Sequence, residues 1–279
     1  MINVFDSKVL KNLYKPPKKS NGEDNGQVTI IGGSSLFHGA PILSLKAASR
    51  IVDMVFFASP DPGVGRVAER IKSKLLSFIW VPWEDTEKYI EKSDAVLIGP
   101  GFMRFGSEKI PEAKRGYENH KEGRETRKIT EHFLKEFRDK KWVIDAGSLQ
   151  VIDPELLPKG CIITPNKKEF RLLFGYQKPE KVAKKYNCTI VLKGPETIVS
   201  SPRQSMLVKG GNAGLTKGGT GDVHAGLTVA ILAKNDPFLS ACAASYIVKA
   251  AADELYKKVG VNYNADDLAD AIPRLLKKT

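Results

Sequence analysis

The strongest chemical signal in this chain is the run from Lys209 to Gly226, KGGNAGLTKGGTGDVHAG. It is rich in glycine and leads straight into a helix predicted to start near Thr220-Gly221-Asp222. Glycines let a backbone approach a ligand closely. The first N–H groups of a helix point outward with the positive end of its dipole. Together they suit a phosphate, or the charge that develops on a phosphoryl group in transfer. Asp222 has the chemistry to deprotonate a hydroxyl that attacks phosphorus, while Gly219, Thr220 and Gly221 stabilise the transferred group. The competing reading is that Asp222 only caps the helix and the glycines only form a turn. The chain has no GxxxxGK[ST], so this is not a Walker A loop.

Other candidates follow short apolar runs. Gly99-Pro100-Gly101 follows Ala95–Ile98, Asp145 follows Trp142–Ile144, Thr164-Pro165-Asn166 follows Cys161–Ile163 with Glu169 one turn further on, and Lys193-Gly194 follows Thr189–Leu192. Each run reads as a strand, so each turn falls at a strand's C-terminal end, where open α/β sheets bind ligands. Any one of these turns is commonplace. Four at equivalent positions, with GGTGD, point to one rim. Gly63-Val64-Gly65-Arg66-Val67-Ala68 matches GxGxxA, but Pro60 and Pro62 separate it from the strand Met54–Ala58, which argues against a dinucleotide turn. His38 lies in the Gly33–Pro41 loop, where it can line a pocket. His224 is two residues from Asp222 and shares no face with it. His120 and His132 lie in a charged region, and no histidine pair has metal-ligand spacing, so no protein-bound metal is expected. Lys193, Lys209 and Lys217 are candidate cations for phosphate, of which Lys193 is the one assigned.

Positioning these residues requires alternating strands and helices. Gln27–Ile31 leads to Gly32-Gly33 and then a helical pattern over Pro41–Ile51; Phe78–Val81 is a further strand. Continuous apolar runs suit strands covered on both faces, hence a three-layer α/β/α domain with a mostly parallel central sheet. Thr197–Ser200 and Met206–Lys209 read as a hairpin set into that frame, and Asp222–Ala233 and Phe238–Lys257 as long apolar helices. Residues 1–14 read as a short amphipathic helix, 16–26 as a linker and 103–124 as a charged loop. Without repeats or a boundary, residues 1–279 are expected to form one domain, with 1–26 as its N-terminal helix and linker.

Bulk composition excludes several classes. The chain has 279 residues, 42% of them apolar and 27% charged, and no run near the roughly 18 apolar residues that span a bilayer. The N-terminal segment mixes Asp6 and Lys8 into its apolar positions, unlike a signal peptide. Cys161, Cys188 and Cys242 are scattered and odd in number, which fits small core residues in a reducing, cytoplasmic compartment. The net charge of +12 is interleaved with acids, as in KEGRETRKITEHFLKEFRDKK, and marks solvated helix faces rather than a nucleic-acid surface.

The ordered set GGSSLFHGAP (32–41), IGPGF (98–102), VIDAGSLQVI (143–152), ITPNKKEFRLLFG (163–175), VLKGPETIVSSP (191–202) and GNAGLTKGGTGDVHAGL (211–227) resembles the ADP/ATP-dependent NAD(P)H-hydrate dehydratases. The resemblance covers about residues 27–256 and implies a ribokinase-like fold. It also implies a reaction: a nucleotide phosphorylates the hydroxyl on a hydrated nicotinamide ring, and phosphate then leaves to restore NADH or NADPH. It makes Asp222 the base and Gly218, Gly219, Thr220 and Gly221 the anion hole. It further implies that Lys193, Gly194, Pro195, Glu196 and Thr197 contact the adenine nucleotide, as does Gly221, and that Ala40, Gly101, Asn166 and Asp222 bind the hydrate. Mg2+ is expected with ADP or ATP. Small molecules are the expected partners, with neither nucleic acid nor membrane, and a homo-oligomer, a tetramer in the family. Many relatives carry a fused epimerase domain for which this chain has no length, so a stand-alone dehydratase is expected. Many also carry His within TPHPGE where this chain has Asn166, and DADALN where it has Asp145–Gln150. The alternative is a ribokinase-superfamily kinase acting on a sugar or vitamin-precursor alcohol. The GAP motif at 39–41 and the KGPET segment favour the dehydratase. A non-catalytic nucleotide-binding protein would be expected to lack the Asp of GGTGD.

Overall fold

In the computed structural model, which describes residues 2–105 and 121–277, the apolar runs form strands of one sheet. In chain order they are β1 (Asn3–Val4), β2 (Gln27–Ile31), β3 (Met54–Ala58), β4 (Ile79–Trp80), β5 (Ala95–Ile98), β6 (Lys141–Ile144), β7 (Ile162–Ile163), β8 (Thr189–Leu192), β9 (Thr197–Ser200) and β10 (Ser205–Val208). Their spatial order is β1-β10-β9-β8-β7-β6-β5-β2-β3-β4. Every neighbouring pair from β4 to β8 is parallel; β9 runs antiparallel to both β8 and β10, as the predicted hairpin requires.

The period-2 alternation of side chains divides the core between two faces. Val28, Ile30, Leu97, Val143, Ile162 and Val191 pack with helices α1 (Gly39–Ala48), α2 (Pro62–Ile71), α8 (Thr220–Lys234), α9 (Pro237–Val259) and α10 (Ala265–Leu276). Ile31, Val96, Ile98, Trp142, Ile144 and Ile190 pack with α3 (Thr86–Lys92), α4 (Lys121–Glu136), α5 (Ala146–Val151), α6 (Lys167–Phe174) and α7 (Pro179–Tyr186). This is the three-layer arrangement that the runs predict. Among the described residues, no helix is long and apolar enough to cross a membrane.

α8 is the helix that carries Asp222, and it is the most deeply enclosed. From Val223 to Ala233 every residue is buried. It lies against β2, β5 and β6 on one side and against α1 and α9 on the other. Gly226 permits the α1 crossing, since a Cβ there would lie 2.1 Å from the carbonyl oxygen of Ser44. The start of α8 is thereby anchored to α1 and the central strands.

Three expectations change. The N-terminal segment is not an amphipathic helix: Asn3 and Val4 pair in parallel with Met206 and Leu207, and a 3-10 helix follows over Ser7–Asn12, capped by Asp6. Tertiary pairing with the sheet edge overrides the local apolar pattern, and Phe5 and Leu10 bury themselves in the core. Residues 16–26 do not run free, because the Asn25 N–H and carboxamide both donate to Asp53 and the Tyr14 hydroxyl donates to Asn25. Of the charged loop, residues 121–124 already belong to α4, while 106–120, including His120, lie outside the described residues.

Candidate active site

The turns after β2, β5, β6, β7 and β8 are stitched into one rim by backbone hydrogen bonds. The Gly33 N–H donates to the Pro100 carbonyl at 2.8 Å, Asp145 N–H to Ile98 at 3.1 Å, Thr164 N–H to Ile144 at 3.3 Å and Lys193 N–H to Pro165 at 2.8 Å. The predicted convergence at the strands' C-terminal ends is therefore a contiguous surface. The GxGxxA segment takes no part as a dinucleotide turn. It forms the start of α2, with Asp61 capping Gly63 and Gly65 seated on Trp80.

Asp145 is the buried centre of the polar network. Its Oδ1 accepts from Thr164 Oγ1 at 2.7 Å and from Lys193 Nζ at 2.9 Å. Lys193 extends from the end of β8 toward the start of α8, where a Cβ on Gly221 would lie 3.5 Å from its ammonium. Burial disfavours that charge, but Asp145, Glu169 and Asp222 outweigh it, and the Lys193 pKa ends above its ordinary value. Glu169 is raised by burial, with Lys193 opposing and Asp145 reinforcing the shift. Asp222 is pushed up to about 7, first by burial and then by Asp145, against the pull of Lys193. A carboxylate titrating near neutrality is matched to the work of a general base.

The start of α8 supplies the donors. Gly219 is the N-cap with φ +90°, a conformation that favours glycine, and no side chain caps this helix. The N–H groups of Gly221 and Asp222 thus head a helix open to an anion. The Thr220 hydroxyl donates to the carbonyls of Leu215 and Lys217, and the Thr220 N–H makes a long 3.4 Å bond to the Lys217 carbonyl, so Thr220 can serve an anion only by giving up that backbone bond. Gly218 is exposed, with open space where a Cβ would stand. Lys217 faces elsewhere, its ammonium donating to the carbonyls of Val261 and Tyr263. Lys209 is exposed.

Ala40, Gly101 and Asp222 are brought close together. Ser44 donates to the carbonyls of Asp222 at 2.8 Å and Ala40 at 3.4 Å. A Cβ on Gly101 would meet the Phe37 carbonyl and Pro41 at the start of α1. Asn166 sits on the same rim, but its side-chain oxygen caps α6 by accepting from the Lys168 and Glu169 N–H groups, while Glu169 accepts from the Asn166 N–H. This capping box accounts for an Asn at that position. Gly194, Pro195 and Glu196 lie in the turn between β8 and β9, with Pro195 and Glu196 exposed, and Thr197 is the first residue of β9. His38 precedes α1 and lies beside Gly63. His224 is buried and neutral, its pKa lowered to about 3 by burial, with Nε2 3.0 Å from Ser245 Oγ. Sequence reasoning missed Ser44 and Lys249. Only the tertiary fold places them here, and no local pattern marks them.

An open helix start, a raised carboxylate and a lysine thus gather at the C-terminal rim of the parallel strands, an arrangement with the chemistry to hold an anion. Solved structures agree on the fold. A ribokinase-like superfamily protein from Enterococcus faecalis superposes with a TM-score of 0.80 at 22% identity, covering 99% of this chain and 95% of that one. The ADP/ATP-dependent NAD(P)H-hydrate dehydratase from Bacillus subtilis, co-crystallised with ATP/Mg2+ and soaked with CoA, superposes at 0.76 with 20% identity, covering 99% and 98%.

The chain belongs to the NAD(P)H-hydrate dehydratase family, whose model matches residues 28–274. It is 37% identical over 277 residues to the bifunctional NAD(P)H-hydrate repair enzyme of Methanocaldococcus jannaschii, covering 96% of this chain and 51% of that protein. It is 32% identical over 287 residues to the ADP-dependent (S)-NAD(P)H-hydrate dehydratase of Cenarchaeum symbiosum, covering 98% and 96%. The chain spans about half the length of the bifunctional relatives it matches.

Proposed function

We propose that this chain restores NADH or NADPH from the hydrated coenzyme at the expense of ADP or ATP, as a hydro-lyase. The observation that carries the reading is the Asp222 carboxylate, titrating near 7 at the uncapped start of α8 and within the field of Lys193. Asp222 takes the proton from the ring hydroxyl as its oxygen attacks the terminal phosphorus of the nucleotide, and the bond from that phosphorus to the rest of the nucleotide breaks. The backbone N–H groups of Gly218 to Gly221 and the Lys193 ammonium receive the charge of the transferring group. The ring C–O bond to phosphate then breaks and the neighbouring ring carbon loses a proton, restoring the double bond. The products are the coenzyme, inorganic phosphate and a nucleotide one phosphate shorter.

Residues 193–197 are assigned to the nucleotide, and Ala40, Gly101 and Asn166, whose carboxamide nitrogen is left over from the capping box, to the hydrate. Magnesium is assigned to the nucleotide, held chiefly by the substrate's own phosphates rather than by a protein ligand set. When bound, it neutralises phosphate oxygens. Residues 1–279 are taken as one domain. Three buried free thiols support a reducing, cytoplasmic setting, and the family resemblance supports a homotetramer.

The test is recovery of reduced-nicotinamide absorbance from purified NADH hydrate, with magnesium and either ADP or ATP. Nucleotide-dependent recovery is expected and names the donor. A folded, nucleotide-binding protein that gives no recovery would be reassigned to phosphorylation of another alcohol.

A further inference from the structure

Lys249 lies on α9, away from every motif that the sequence marks, and is only 5% exposed. Its ammonium donates to three carbonyls: Pro195 at 2.7 Å, Gly210 at 2.8 Å and Gly194 at 3.3 Å. Two belong to the turn between β8 and β9, the third to the loop that leads from β10 toward the start of α8. All three ammonium hydrogens are thus spent on backbone of two separate loops. A buried lysine that makes no carboxylate contact at hydrogen-bond distance is a costly choice for mere packing. Burial lowers its pKa, with Asp253 and Glu196 opposing.

Asp253 stands one helical turn further along α9. Its Oδ2 accepts from the Gly211 N–H at 3.0 Å, and its Oδ1 accepts from the Asn212 carboxamide at 3.3 Å. In a trans peptide the carbonyl and the N–H point in opposite directions. The Gly210–Gly211 peptide is therefore gripped at both ends, its oxygen by Lys249 and its N–H by Asp253. The same rule applies to the Pro195–Glu196 peptide. With its carbonyl drawn to Lys249, the Glu196 N–H points away from α9.

We propose that Lys249 is a positioning residue for the nucleotide: by drawing in the carbonyls of Gly194 and Pro195 it presents the Glu196 N–H outward as a donor, and through Gly210 it ties that turn to the loop feeding the anion hole. The proposal rests on the assignment of residues 193–197 to the nucleotide. It gives α9 a role in nucleotide affinity, not in hydrate affinity, because the three carbonyls belong to the turn after β8 and the loop after β10 and none to the residues assigned to the hydrate.

The experiment compares the full-length wild type with Lys249→Met, Lys249→Gln and Lys249→Arg. ADP and ATP affinity is measured by calorimetry, and KM for nucleotide and for NADH hydrate separately. Thermal melts establish that each protein is folded. In Lys249→Met the nucleotide Kd and KM should rise about 10- to 100-fold, as loss of charge-assisted hydrogen bonds implies. The KM for hydrate should stay within twofold, and Lys249→Arg should recover most of the nucleotide affinity. Should Lys249→Met fail to fold, the order Arg tighter than Gln carries the same prediction. Nucleotide Kd unchanged within twofold in a folded variant, or nucleotide and hydrate KM rising together, would overturn the proposal as a purely structural role. A wild type that binds neither nucleotide would overturn the functional reading itself, and this proposal with it.

Discussion

If Asp222 is the proposed base, its raised pKa ties turnover to stability, and Asp222→Asn separates the two. In the folded protein burial, and then Asp145, raise this carboxyl from 3.8 to about 7. Between those two values the folded protein holds a proton that the unfolded chain has released. Stability therefore falls as pH rises through that window, and the full cost stands above about pH 7; below 3.8 there is none. At about 1.36 kcal/mol for each pKa unit, the ceiling is roughly 4 kcal/mol. Water at the mouth of the site raises the local dielectric and reduces this to about 2 kcal/mol. Asparagine keeps the shape and removes the charge. For a chain of this length the gain corresponds to about 4 °C in Tm at pH 8, and to less than half of that at pH 5. The assay is thermal melting of both proteins at pH 5 and 8, with turnover and ADP affinity measured alongside. Turnover of the variant should fall by about 10² to 10⁴, the range for a lost general base, while nucleotide affinity stays within a few fold. A variant that melts below the wild type at pH 8, or whose advantage is the same at both pH values, would refute the raised carboxyl and with it the base.

Wild-type kcat/KM should climb about tenfold per pH unit below 7 and level off above it, since the base must be ionised; a flat profile between pH 5.5 and 8 would exclude Asp222 as base. Lys193→Met removes the cation that lowers the Asp222 pKa, so the same limb should move to higher pH as turnover drops, read from the pH–rate profile. His224 has a folded pKa of about 3 against 6.5 unfolded, so the stability it contributes is complete above 6.5 and is lost as pH falls toward 3. His224→Leu should melt less acid-sensitively; because Nδ1 is buried without a partner, it should also gain about 1 kcal/mol at pH 7. Gly226→Ala drives a Cβ into the Ser44 carbonyl and should cost at least about 3 kcal/mol by urea denaturation, since backbone on both sides cannot yield.

The parallel strands were legible because two-sided burial writes an unbroken apolar run: Gln27–Ile31, Met54–Ala58, Ala95–Ile98 and Thr189–Leu192 match the structure end to end. Short strands were less so. Phe78–Val81 contracts to Ile79–Trp80, although Phe78 and Val81 remain buried, because burial extends beyond the ladder of hydrogen bonds. The edge strand Asn3–Val4 was invisible, since its pairing partner lies 203 residues away and both its residues are exposed. At the site, glycines, prolines and Asp222 announced themselves by position after strands. What escaped was the layer that holds them. Ser44 and Lys249 act through single atoms reaching backbone carbonyls, and a carbonyl carries no residue identity, so no motif can encode the contact. The site's chemistry is thus written in its turns, while its geometry is set by two helices, α1 and α9, whose sequences read as ordinary apolar packing.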